Sequence, residues 1–101
     1  MTEAAERTRL RVVVHGRVQG VWFRGATEEQ AHLHRVAGWV RNRPDGCVEA
    51  VFEGAPADVE ALAAFVRRGP PAARVERVET HVEAPQGERG FRVRRTGDAS
   101  A

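Results

Sequence analysis

Between residues 16 and 24 the chain reads Gly-Arg-Val-Gln-Gly-Val-Trp-Phe-Arg. Gly16 and Gly20 let the backbone turn so that successive N–H groups face inward and form an anion-binding nest. A helix starting at Arg24 adds its own free N–H groups and the positive end of its dipole. The Arg24 guanidinium adds a planar fork that matches phosphate oxygens. The stretch is not a G-x-G-x-x-G fingerprint and lacks the G-K-[ST] of a P-loop. The plain alternative is a simple turn with a solvated arginine, and the glycines alone leave the two readings level. A second polar group of interest is Asn42, whose amide carries one acceptor and two donors and can orient a water. Its local alternative, favoured on local chemistry alone, is to bond within the turn that follows it.

Elements must hold these groups. Residues 9–15 alternate, with Leu10, Val12 and Val14 on one side, and read as a strand that Gly16 ends, followed by a loop to about Phe23. Residues 24–34 read as a helix with its acids Glu28 and Glu29 early, where the dipole favours them, and with Phe23, Thr27, Ala31 and His34 sharing a face. Residues 36–42 and 47–53 are strands joined by the turn Arg43-Pro44-Asp45-Gly46. Residues 56–68 form the clearest helix, with Pro56 in the first turn, an apolar stripe of Val59, Leu62, Ala63 and Val66, and Gly69 as its C-terminal cap. Residues 74–83 and 90–95 supply two more strands, and the last six residues read as a frayed tail.

The order β-α-β-β-α-β, with a short extra strand, is the split arrangement of ferredoxin-like α+β folds. It implies an antiparallel sheet with two helices on one face. Leu10, Val12, Val14, Val48, Ala50, Phe52, Val78, Val82, Phe91 and Val93 should lie under the helices. Arg9, Arg11, Glu49, Glu79, Arg92 and Arg94 should occupy the open face. A right-handed crossover makes strands one and two parallel, with strand three between them. The glycine loop and Asn42 then meet at one sheet edge, about 10 Å apart.

Composition narrows the chemistry. The 101 residues make one domain with a core of about residues 8–95 and flexible termini. All 16 basic residues are arginine, so Schiff-base chemistry and a P-loop lysine are excluded. His15, His32, His34 and His81 are scattered, so no metal site is expected. Cys47 reads as structural, and a single cysteine fits a reducing, cytoplasmic compartment. The sequence contains neither a secretory h-region nor a run long enough to span a membrane.

The motif VQGVWFR, followed by GWVRN-x-x-DG-x-VE in register, resembles the acylphosphatase family across residues 8–95. The resemblance implies hydrolysis of acyl phosphates to carboxylate and inorganic phosphate, without metal or other cofactor. It implies that Arg24 binds the phosphate together with the backbone amides of Gln19, Gly20, Val21, Trp22 and Phe23, and that Asn42 positions the attacking water. The partners expected are a small acyl phosphate and inorganic phosphate as product and inhibitor, for a monomer that binds neither membrane nor nucleic acid. An RNA-recognition module shares the element order, but it needs aromatic platforms on its central strands, where this chain has Arg11, Val13, Glu49 and Val51. A domain of the kind found inside hydrogenase-maturation proteins is a further alternative. The family pattern is broken at Arg35, where a glycine is usual, and at His34, where an apolar residue is usual. A left-handed Arg35 costs on the order of 1 kcal/mol.

Overall fold

A computed structural model describes residues 6–96. The elements are β1 (Thr8–Arg17), α1 (Phe23–Leu33), β2 (Ala37–Asn42), β3 (Val48–Gly54), α2 (Pro56–Arg68), β4 (Arg74–Glu83) and β5 (Phe91–Arg94). The sheet order is β4-β1-β3-β2-β5. β3 runs antiparallel to both β1 and β2, which therefore point the same way, as the crossover rule requires. β5 pairs parallel to β2, so the ferredoxin-like sheet is mixed rather than wholly antiparallel. The frayed tail expected after Arg95 lies, apart from Thr96, outside the described residues, as do residues 1–5.

β1 does not stop at Gly16. A bulge between His15 and Gly16 shifts the register, and the strand runs on to pair Arg17 with Arg74. Gly16 has φ 130°, and a Cβ there would overlap the Arg74 carbonyl. It is therefore a sheet glycine required by close backbone approach, and the loop itself is only residues 18–22.

Val12, Val14, Val48, Ala50, Phe52 and Phe91 are buried beneath the helices, and Leu10 and Val78 pack at the margin. Val82 and Val93 depart from expectation: Val82, near the end of edge strand β4, is 86% exposed, and Val93, on edge strand β5, is 39% exposed. α2 keeps its expected bounds, with Asp58 in its first turn and Arg67 and Arg68 in its last. α1 buries Phe23, Ala26, Thr27 and Ala31, while His34 falls outside the helix.

α1 ends in a Schellman motif, in which the Val36 N–H donates to the Ala31 carbonyl and the Arg35 N–H to that of His32. Arg35 takes the left-handed position at φ 56° with its side chain exposed. Arg35→Gly should remove this strain without losing a contact, stabilising the fold by about 1 kcal/mol. Thermal unfolding checks this, with a rise in Tm of about 5 °C expected.

The helix-free face is less open than a solvated charged face. Arg9 and Glu49 are nearly buried and Glu53 fully so. The loop after β4 crosses one end of the face. There the Gln86, Gly87 and Glu88 N–H groups donate to the Glu53 carboxylate at 3.0, 2.7 and 3.2 Å, beside Arg9 Nη1 at 3.1 Å. Burial pushes the Glu53 pKa up, but these amides and Arg9 outweigh it and bring it from 4.5 down to about 2. Because the folded value is depressed, its stabilisation is complete above about pH 4.5 and is lost as pH falls towards 2. Glu53→Gln takes the carboxylate charge out of the bonds from the three amides and Arg9, while Arg9 keeps Glu83 and Glu88, and should cost about 2–3 kcal/mol. Urea unfolding at pH 7 and pH 3 checks both points, since the gap between variant and parent should narrow in acid.

Candidate active site

Asn42 ends β2 and pairs with Val48, which in turn pairs with Val14 of β1. The ends of β1 and β2 therefore share one sheet edge, and the 18–22 loop leads from there into α1. Phe23 anchors the helix start. It is buried, its ring lies 6.5 Å from that of Phe65, and it sits so close to Gly69 that a Cβ there would come within 2.9 Å. With Phe23 held in the core, the next residue, Arg24, is placed at the rim.

A cavity of about 260 Å³ opens at this point, lined by Gly20, Trp22, Phe23, Arg24 and Asn42, with Val18, Gly25 and Val93 completing it. It unites five of the seven residues singled out from sequence. The expectation for Val21 and Gln19 concerned their backbone amides; the Val21 side chain packs against the core, and the Gln19 side chain points to the hairpin. The Gln19 side-chain amide donates to the Arg43 and Cys47 carbonyls at 2.8 and 2.9 Å, tying the loop to the hairpin that follows Asn42. Sequence reasoning missed Val18, Gly25 and Val93. The only available signal was a glycine inside a helix, because Val93 arrives through the parallel pairing of β5.

The electrostatics suit an anion. Among the described residues, no carboxylate pairs with Arg24. No side chain caps α1, and its first turn contains no acid, because the helix starts at Phe23 and leaves Glu28 and Glu29 in the second turn. This corrects the expectation that those acids sit at the dipole end, and it leaves the N–H groups of that end to an outside partner. Gly20 at φ 75° and Trp22 at φ 66° are both left-handed and curl the loop. The Asn42 side chain bonds nothing among the described residues. Asp45 closes the turn instead, accepting from the Cys47 N–H at 3.0 Å and from Arg43 Nη2 at 2.7 Å.

Cys47 is buried, and burial and Asp45 push its thiol pKa up. That disfavours a thiolate. His15 Nδ1 lies 3.2 Å from its sulfur and His15 Nε2 lies 2.6 Å from Glu79, a contact row the sequence did not reveal. Among the described residues, no group of three His, Cys, Asp or Glu could hold a metal ion. A larger cavity of about 820 Å³ lies on the helix-free face, but much of its charge is spent internally: Arg9 and Arg11 both pair with Glu83, and Arg11 also with Glu49. Trp39 lies there, nearly buried, with the Arg94 and Arg41 guanidinium carbons 5.0 and 5.9 Å from its ring.

Comparison with known proteins identifies the family and the fold. The acylphosphatase family model matches residues 10–93. An acylphosphatase of Gloeobacter violaceus is 54% identical over 91% of this chain and 99% of its own length. One of Rubrobacter xylanophilus is 55% identical over 93% of this chain and 86% of its own. The structure of an acylphosphatase from Coxiella burnetii superposes with a TM-score of 0.86 at 35% identity, covering 93% of this chain and all of that one. With both motifs meeting at one cavity on the same fold, the chain belongs to the acylphosphatase family of enzymes.

Proposed function

We propose that the chain hydrolyses acyl phosphates without a metal ion, by in-line attack of a water that Asn42 positions. The observation that carries this reading is the meeting, in one small cavity, of an arginine without an internal partner, an uncapped helix N-terminus and an unbonded amide. Arg24 and the loop amides of Gln19 to Phe23 hold the phosphoryl oxygens and offset their charge. Water adds to phosphorus as the bond to the acyl oxygen breaks, giving a carboxylate and dihydrogen phosphate. The carboxylate is a good leaving group and needs no acid to expel it. The water's proton passes to a phosphoryl oxygen of the substrate. Positioning and electrostatic stabilisation suffice for phosphoryl transfer of this kind.

We propose further that the enzyme acts as a monomer in the cytoplasm. Separately, no helix among the described residues is long and apolar enough to cross a membrane. The test is hydrolysis of benzoyl phosphate after exhaustive chelation. Full activity is expected, with inorganic phosphate inhibiting competitively. Loss of activity in chelator, restored by a divalent ion, would overturn the mechanism.

A further inference from the structure

The phosphate cavity shares a wall with a neighbouring space. A second groove of about 430 Å³ begins on the other side of Trp22 and runs between the start of α1 and the end of α2. Trp22 lines both spaces. Ala26, Phe65 and Pro70 contribute apolar surface to the groove, while Glu29 and Arg68 bring opposite charges that leave it no preference for an ion. Arg68 is in addition drawn over the Phe65 ring, 5.6 Å from its centroid.

Trp22 is held in a way that serves no core. It is 61% exposed, while the other tryptophan, Trp39, is 7% exposed. It adopts the left-handed φ of 66° at the N-cap of α1, a conformation that is costly for a bulky residue. Its indole stands over the first helical turn, where Gly25 makes room for it: a Cβ at position 25 would overlap Trp22 Nε1. A strained backbone and a helix-weakening glycine together keep a large apolar ring in water beside the anion site.

We infer that Trp22 and this groove form the acyl subsite, selecting acyl phosphates with an aryl or long alkyl arm over those with a small or charged one. This rests on the reading of Arg24 and the loop as the phosphate site, because Trp22 borders both spaces and its exposed ring stands between that site and the groove. With the phosphoryl group at Arg24, an aryl arm lies against the indole face and a longer alkyl arm extends over Ala26 towards Phe65. The arm is remote from the breaking bond, so its contacts act in ground and transition states alike and appear in KM rather than kcat.

Two measurements test this. The first is calorimetric titration of the protein with methylphosphonate and benzylphosphonate, which cannot be hydrolysed at the acyl bond. Benzylphosphonate should bind about tenfold more tightly, and Trp22→Gly, which keeps the left-handed backbone, should remove most of that preference. Gly25→Ala, which strengthens the helix but displaces the ring, should reduce the preference as well. The second is KM for straight-chain acyl phosphates from acetyl upward, expected to fall about two- to fourfold per added methylene until the groove is full. Equal affinity for the two phosphonates, an undiminished preference in Trp22→Gly, or a KM indifferent to chain length would overturn the acyl subsite while leaving the phosphate site standing. Binding of neither phosphonate would remove the phosphate reading and the subsite with it.

Discussion

Arg24→Ala should lower kcat/KM for acyl phosphate hydrolysis by about 10³-fold or more, the scale of an arginine that stabilises charge in phosphoryl transfer. In the proposed mechanism the guanidinium faces the phosphoryl oxygens before and during the reaction, so KM and the inhibition constant for inorganic phosphate should both rise as kcat falls. Arg24→Lys keeps a positive charge but loses the planar two-pronged donor, and it should recover little of the activity. Stability is expected to stay near that of the parent, because among the described residues no carboxylate pairs with Arg24. Steady-state kinetics beside thermal unfolding make the check. A fully active alanine variant would remove Arg24 from the mechanism.

Asn42→Ala should behave differently, because its proposed partner is the water. Turnover should fall about 10²–10³-fold, the scale of losing one positioned donor at a developing charge. Phosphate affinity should change little, since Arg24, the loop and the α1 N-terminus remain. The fold should persist as well, because Asp45 rather than Asn42 closes the hairpin turn. Turnover, phosphate titration and unfolding of the same variant separate the possibilities. If phosphate binding collapsed in a folded variant, Asn42 would be a phosphate ligand. If turnover were unchanged, some other group would hold the water.

Much of this protein is legible in one dimension because its signals are local. The Leu10-Val12-Val14 and Val48-Ala50-Phe52 alternations each place one strand face in the core, and these residues are buried there or packed at its margin. Pro56, the Val59-Leu62-Ala63-Val66 stripe and Gly69 bound α2 correctly, because caps and a stripe act within one segment. The two motifs also point to the cavity, since the crossover rule brings the ends of β1 and β2 to one edge whatever the side chains between them.

The features that sequence reading did not supply depend on partners distant in the chain. Nothing near Glu53 marks it as buried. Its carboxylate is held by amides more than 30 residues away, and only the folded loop after β4 brings them together. Gly16 looks like the opening of an anion loop until β4 is laid beside it, where the Arg74 carbonyl shows why a side chain is excluded. The direction of β5, the row from Cys47 through His15 to Glu79, and the bonds from Gln19 to the hairpin arise the same way. Periodicity reports which face a residue takes within its own element. Which groups meet across elements is set by how the sheet and helices close on one another, and that closure exists only in three dimensions.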